Sequence, residues 1–438
     1  MLRLLCTLLL LSPPAALPVD DKIGLGSWRF EGQTVEELFA RSVSGLRDTN
    51  QDGFNDVAVG LPGRDLSRGM VRVYDGQDGK QRFEISGPES GDLFGLSVGA
   101  AGDVDNDSFY DLIVGAPGRG DRPGQAFVFS GKDGERLHVL SGENTGDLFG
   151  HSVSGAGDVN GDGFDDLIVG APGFATKDGA EAGKAYVYSG KDAELLHTVT
   201  GERAGDRLGW SVSSAGDTNG DSFDDVVVGA PHAGRKKKSS EGVALVIDGK
   251  KGKELHSFSG DEDGDRFGWV VRGAGDTDGN NTSEVLVGSF KADGYARLFD
   301  GKKGKVVHTF RGEEGAYFGS VVAGSLFGRR VIIDVGSVGA TGLFDVDADG
   351  MADVAIAAPG DPSIEDEAGR VLPSVSVFSG KSGELLLRLE GESRDHHFGG
   401  SLSSAGDVND DGFADFIVGD DMFGAAKGTA RIYLGSAP

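Results

Sequence analysis

A chain of 438 residues with 70 acidic and 42 basic side chains, a formal charge of −28, 75 glycines and one cysteine excludes several classes at once. Nucleic-acid recognition requires a basic face that this composition does not supply. A disulfide scaffold requires more than one cysteine.

At the start of the chain, Arg3, the apolar run Leu4 to Leu11, and small Ala15 and Ala16 read as a secretory signal peptide over residues 1–17. The apolar run is too short to span a bilayer, and the single Cys6 would leave with it. The predicted mature protein, residues 18–438, is one β-domain without transmembrane segment or disulfide, so another device must hold it. Trp28-Arg-Phe30-Glu-Gly comes next, and its pattern matches the fourth strand of a unit that recurs below.

From Asp48 onward one nine-residue stretch occurs seven times, at 48–56, 103–111, 158–166, 217–225, 276–284, 345–353 and 407–415. Oxygen-bearing side chains stand at positions 1, 3, 5 and 9, a glycine or small residue usually at 6, and an apolar residue usually at 7, as in a calcium loop related to the EF-hand. The predicted ligands are Asp48, Asn50, Asp52, Phe54 and Asp56 in the first loop. Asp103, Asp105, Asp107, Phe109 and Asp111 serve the second, and Asp158, Asn160, Asp162, Phe164 and Asp166 the third. The fourth has Asp217, Asn219, Asp221, Phe223 and Asp225; the sixth Asp345, Asp347, Asp349, Met351 and Asp353; the seventh Asp407, Asn409, Asp411, Phe413 and Asp415. The fifth departs from the pattern, with Asp276, Asp278, Asn280, Thr282, Glu284 and no glycine at position 6, and is expected to bind weakly or not at all. Position 7 is expected to offer its backbone carbonyl to the ion and its ring to the core. Position 9 opens the next strand and ties loop to sheet, coupling Ca²⁺ binding to folding. Seven divalent ions would halve the formal charge, so the acidity reports metal binding.

The first ligands repeat at intervals of 55 to 69 residues, the length of a supersecondary unit. In the third copy four strands are predicted: Ser152–Ala156, Asp166–Gly170, Lys184–Tyr188 and Glu194–Val199. The second is a continuous apolar run that should be buried on both faces, and the third and fourth alternate more. Seven such four-stranded sheets make an all-β seven-bladed propeller. The chain stops after a third strand, Thr429–Leu434, so the segment at Trp28 is predicted to complete the seventh blade and lock the ring as a monomer.

Phe-Gly or a variant precedes most loops (Phe94-Gly95, Phe149-Gly150, Leu208-Gly209, Phe267-Gly268, Phe318-Gly319, Phe398-Gly399), and Gly-Ala-Pro follows at 115–117, 170–172 and 229–231. The chain thereby resembles the FG-GAP repeat proteins, in particular the integrin α-subunit head. The resemblance implies a propeller with calcium on its lower face and partner binding on its upper face. The sequence has no inserted ligand-binding domain, leg domains or membrane anchor, which predicts a free-standing secreted or envelope-associated propeller that recognises an extracellular protein or glycan. A calcium-dependent polysaccharide lyase or hydrolase on the same ring, and a structural envelope or matrix component, are the alternatives.

The upper face is assigned the connections at 171–184, 231–242 and 359–373; the basic run Arg235 to Lys238 is read as a solvated loop, the tripeptide Arg119-Gly-Asp121 as a chance match in a Gly-rich turn, and the insertion between Phe318 and Asp345 is assigned no function. Ser97 lies in a Gly-x-Ser-x-Gly pattern, but the same serine recurs as Ser42, Ser152 and Ser211 and is read as packing. His138, His197, His256 and His308 share one strand position and are read as structural. No catalytic residue is nominated.

Overall fold

The computed structural model describes residues 28–435 except 35–36, 64–67, 119–121, 178, 235–239, 292–293, 313–317, 319–344, 348, 360–371, 394–395 and 422–426. The predicted signal peptide, Arg119-Gly-Asp121, Arg235 to Lys238, most of 359–373 and all but the flanks of the Phe318–Asp345 insertion lie outside the described residues.

The fold is a seven-bladed β-propeller. Strand β1 (Arg29–Glu31) precedes blade 1, made of β2 (Ser42–Leu46), β3 (Asp56–Leu61), β4 (Met70–Tyr74) and β5 (Gln81–Ser86). Blade 2 is β6 (Ser97–Gly102), β7 (Asp111–Ala116), β8 (Gln125–Phe129) and β9 (Arg136–Ser141). Blade 3 is β10 (Ser152–Gly157), β11 (Asp166–Ala171), β12 (Lys184–Tyr188) and β13 (Leu195–Thr200). Blade 4 is β14 (Ser211–Gly216), β15 (Asp225–Ala230), β16 (Val243–Asp248) and β17 (Lys253–Ser259). Blade 5 is β18 (Val270–Gly275), β19 (Glu284–Gly288), β20 (Tyr295–Phe299) and β21 (Val306–Arg311). Blade 6 has three strands among the described residues, β22 (Val354–Ala358), β23 (Ser374–Phe378) and β24 (Leu385–Glu390). Blade 7 is β25 (Ser401–Gly406), β26 (Asp415–Asp420) and β27 (Thr429–Tyr433). Each blade is an antiparallel meander. The expected ring closure is present: β1 pairs with β27, Phe30 opposite Ala430, and supplies the fourth strand of blade 7.

Burial follows the position of a strand in its blade. All six residues of β3, β7, β11, β15 and β26 are buried, as the continuous apolar runs predict, because this strand has a neighbouring blade on each face. Each buried Val, Leu or Ile there contributes about 1.5–3 kcal/mol. The outermost strands alternate, as in β13, where Leu195 is exposed and Leu196 half-buried. The third strands differ from expectation: β4 is buried throughout and β8 nearly so, since blades overlap far enough outward to cover both of their faces.

The paired motifs are one inter-blade joint. The N–H of Gly95 donates to the carbonyl of Gly115 at 3.1 Å, Gly150 to Gly170 at 3.1 Å, and Gly209 to Gly229 at 3.0 Å. A β-carbon on Gly170 would stand 2.0 Å from the Gly209 carbonyl oxygen, so only glycine fits. The aromatic of the motif is fully buried at Phe94, Phe149 and Phe267; Phe94 packs edge-on against Phe127 and Phe129 of the next blade. The repeated serines bridge blades too: Ser42 Oγ donates to the Gly95 carbonyl at 3.0 Å and Ser97 Oγ to that of Gly150 at 3.1 Å. His138 and His197 contact the carbonyls of Gly190 and Gly249 at 2.7 and 2.6 Å. These groups are joints of the ring.

Candidate functional site: the two ends of the propeller axis

Each inner strand runs between two ends of the ring. At its far end the chain enters a nine-residue loop. Before its near end it makes the tight turn that contains Phe-Gly.

In the loops, alternate side chains turn inward and bind the loop's own backbone. The first carboxylate accepts the N–H of positions 5 and 6: Asp158 from Asp162 at 3.1 Å and Gly163 at 3.0 Å, Asp407 from Asp411 at 3.2 Å and Gly412 at 2.9 Å. Position 3 accepts from position 5, and position 5 from position 7, as Asp162 does from Phe164 at 3.1 Å. The carboxylate at position 9 is fully buried in every loop. It accepts the N–H of position 2 and, in five loops, that of the glycine opening the turn between the third and fourth strands, as Asp166 does from Val159 and Gly190; in the seventh, Asp415 accepts from Val408 and from Gly435 just after β27. Loop and turn are thereby fastened at one end of the ring.

Within each loop the predicted acids and amides are thus held by their own loop's backbone or by one another. In the three loops with an acid at position 3, carboxylate oxygens of Asp103, Asp105 and Asp111, of Asp276, Asp278 and Glu284, and of Asp345, Asp347 and Asp353 lie within 4.8 Å of one another. Burial pushes the carboxyls of Asp111, Asp166, Asp353 and Asp415 up to about 7, and neighbouring loop carboxylates add to the shift. Converging oxygens whose ionisation is opposed by burial and mutual repulsion are a donor set suited to a hard divalent cation.

The fifth loop, whose sequence suggests weak binding, has the same closed backbone as the others. Asn281, at position 6, takes the left-handed conformation at φ +62° that Gly163 takes in loop 3, a region open to asparagine. Its N–H reaches Asp276 at 2.8 Å, so the loop closes like the others. The longer Glu284 bonds Thr277 through Oε2 at 2.7 Å, but its buried Oε1 has no hydrogen-bond partner. An orphaned carboxylate oxygen inside a ring of donors fits a cation.

The ring at position 7 behaves differently from expectation. Phe54, Phe109, Phe164 and Phe223 are half-buried and lie under lysines or the neighbouring loop: Lys132 Nζ stands 4.5 Å above Phe109, Lys191 4.5 Å above Phe164, and Lys250 3.7 Å above Phe223. Lys132, Lys191 and Lys381 also approach the position-5 acids Asp107, Asp162 and Asp349 at 3.7, 4.0 and 3.5 Å. Their repeated Gly-Lys context after the third strand was the available signal. Position 8 was missed as well. Its backbone N–H donates to the position-1 carbonyl of the preceding loop, as Asp165 does to Asp103 and Ser283 to Asp217, and the Asp165 carboxylate accepts the Asp103 N–H at 2.8 Å.

At the opposite end, the turns entering blades 2 to 5 have the form X-Phe-Gly-Z, with Leu208 in place of Phe in blade 4, closed by a bond from the N–H of Z to the carbonyl of X: Leu96 to Leu93, His151 to Leu148, Trp210 to Arg207 and Trp269 to Arg266, at 3.0 to 3.2 Å. X is left-handed each time, at φ +58°, +56°, +54° and +51°. Blade 2 fills X and Z with leucines; blades 4 and 5 use Arg and Trp. His151, Trp210, Trp269 and Phe290 then form a continuous aromatic line with ring centroids 4.6, 4.7 and 4.6 Å apart. Arg207 lies 5.7 Å from the Trp210 ring, and Arg266 lies 5.7 Å from Trp269 and 5.2 Å from Phe290. Where blade 7 meets blade 1, Asp421 binds Arg41 at 2.8 Å and His397 at 3.0 Å. Burial alone would raise the Asp421 carboxyl, but the His397 bond and the Arg41 charge outweigh it and hold it at about 2.

A family model for the FG-GAP repeat matches residues 94–129, 149–188 and 208–247. Integrin alpha-5 of Xenopus laevis is 36% identical over 212 residues, 46% of this chain and 20% of that one. Integrin alpha-4 of the same animal is 30% identical over 255 residues, 54% of this chain and 24% of that one. Human integrin alpha-IIb is 34% identical over 231 residues, 48% and 21% respectively. The alignments span about a quarter or less of these relatives. No helix among the described residues is long and apolar enough to cross a membrane.

Proposed function

From an FG-GAP repeat chain with an integrin-α-like propeller as the premise, we propose that this protein is an exported, calcium-stabilised recognition module that binds an extracellular partner at the channel mouth opposite its metal loops. The observation that carries the reading is the contrast between the two ends. Among the described residues the loops hold their position-1 and position-9 carboxylates alike, whereas the turns entering blades 1 to 5 share one backbone but change side chains blade by blade. Repetition serves the ring; variation on a fixed turn serves a ligand.

Calcium would be held by side-chain oxygens at positions 1, 3, 5 and 9 and the carbonyl at position 7 of each loop, the fifth included. Bound there it supplies charge compensation for the buried acids and a link from inner to second strand. A site occupied at a hundred times its Kd adds about 2.7 kcal/mol, and several such sites are comparable with the usual net stability of about 5–15 kcal/mol.

The test is capture of material from the protein's own extracellular surroundings on the immobilised full chain, in calcium and in chelator, with retained polymers sized. A partner held intact in calcium and released by chelator is the expected result. Shortened polysaccharide would replace this reading with an enzyme, and capture of further copies of the chain alone would replace it with a structural component.

A further inference from the structure

Resting on that reading, we propose that the channel mouth at blades 4 and 5 binds an acidic segment of a protein partner, taking its carboxylates on Arg207, Arg266 and the indole N–H groups of Trp210 and Trp269. The argument begins with the turn itself. A left-handed residue with a bulky side chain is an uncommon conformation, and blades 1 to 3 place leucine there, at Leu38, Leu93 and Leu148. Two adjacent blades place arginine there instead, so the backbone does not require the charge.

The tryptophans carry the second observation. Trp210 and Trp269 are 8% and 7% exposed, and the Nε1 of each is buried with no hydrogen-bond partner. Buried donors ordinarily find acceptors, and one left without costs stability. The third tryptophan, Trp28, has its partner, the Gly76 carbonyl at 2.8 Å. Of the three indole donors, the two without an acceptor are therefore those of the adjacent turns of blades 4 and 5.

What these groups can bind follows from what is occupied. The indole faces are taken by each other, by His151 and Phe290, and by the two guanidiniums, which leaves no open aromatic surface for a sugar ring. Their donor edges call for a hydrogen-bond acceptor bearing negative charge. Glu181 already illustrates the geometry: one of its oxygens accepts from Arg207 Nε at 3.0 Å and Nη2 at 2.7 Å. His232, close to both arginines, is driven down to about 4 by burial and by their charges. It is neutral at ordinary pH, so the positive charge there is that of the arginines, offset in part at Arg207 by Glu181. Charge-assisted bonds from guanidinium to carboxylate are among the stronger polar contacts, and on an otherwise acidic protein they also give orientation.

The test uses the full chain in calcium at physiological ionic strength, with hexaglutamate, hexalysine and an oligomer of uronic acid as probes. Binding is read by calorimetry and by tryptophan fluorescence, since two of the three tryptophans lie at the mouth. Hexaglutamate is expected to bind saturably and hexalysine not at all. Arg207→Leu with Arg266→Leu, which installs the residue blade 2 carries in the same turn, should weaken hexaglutamate at least tenfold with the melting temperature unchanged. Trp210→Phe with Trp269→Phe, which keeps the rings and removes the N–H donors, should weaken it several-fold. No saturable hexaglutamate binding, equal binding by the arginine variant, or binding of the uronic-acid oligomer in place of the peptide would overturn the proposal. If the chain captures a partner intact and the arginine variant captures it equally, only the acidic chemistry fails; if neither captures anything, the recognition reading fails as well.

Discussion

The loop end and the turn end of the propeller are built from the same inner strands yet follow opposite rules. At the loop end, side chains are fixed by the backbone: Asp158 must accept from Asp162 and Gly163, and Asp166 from Val159 and Gly190, or the chain cannot curl. At the turn end the backbone closes without help from side chains, since Leu93 and Leu96 make the same bond as Arg207 and Trp210. A region whose side chains fold the chain repeats itself. A region whose side chains are optional for folding is free to specialise.

That contrast orders the expected effects. The largest should come from stripping calcium, which acts on every loop together: the melting temperature of the full chain in chelator is expected to fall by well over ten degrees, and an unchanged melt would end the metal account. Next, Gly170→Ala drives a β-carbon onto the Gly209 carbonyl and should cost several kcal/mol by denaturant unfolding, whereas Ile168→Ala, a cavity in β11, should cost about 2–5 kcal/mol. Smaller, and sharper, is Glu284→Gln. It should remove one calcium from the count by native mass spectrometry, as Asp162→Ala should, because the fifth loop closes like the third; an unchanged count would bear out the weak fifth site that its sequence suggests.

A pH series separates the ends further. Burial raises Asp111, Asp166, Asp353, Asp415 and Glu284 to about 7 and Asp225 to about 6, above the ordinary values of 3.8 and 4.5. Their neutral forms favour the fold, so this contribution is full below about pH 4 and is lost as pH rises through 6 to 7. In chelator the melting temperature should therefore fall between pH 5 and 8, and calcium, which favours the ionised carboxylates, should remove that fall. The smallest effect belongs to the exposed lysines over the loops: Lys191→Ala should change stability by no more than about 1 kcal/mol.

Much of this was legible in the sequence, for physical reasons. Ligand spacing in the loops is local, so nine residues suffice to read Asp158 to Asp166. Burial of β11 follows from an uninterrupted Leu167-Ile-Val169, and ring closure from a missing fourth strand at one terminus and an extra one at the other. What was not legible depends on neighbours that are remote in sequence. Asp165 bonds Asp103, 62 residues earlier, and nothing in either loop announces it. The ring of Phe223 lies against Gly161 of the preceding loop, outside the core that its apolar character suggests. The glycine or small residue usual at position 6 answers to a left-handed backbone, which Ser108, Ser222 and Asn281 also adopt. The Arg-Trp pairs were hidden because each looks like an ordinary variant of the Phe-Gly context until the blades stand side by side.

The division between the two ends is tested most directly by hydrogen exchange on the full chain, measured without calcium, with calcium, and with calcium plus the captured partner. Calcium should slow exchange in all seven loops, 276–284 included, and the partner should then slow the turns around 207–210 and 266–269 with no further change in the loops. Partner protection concentrated on the loops, with those turns exchanging as before, would contradict it.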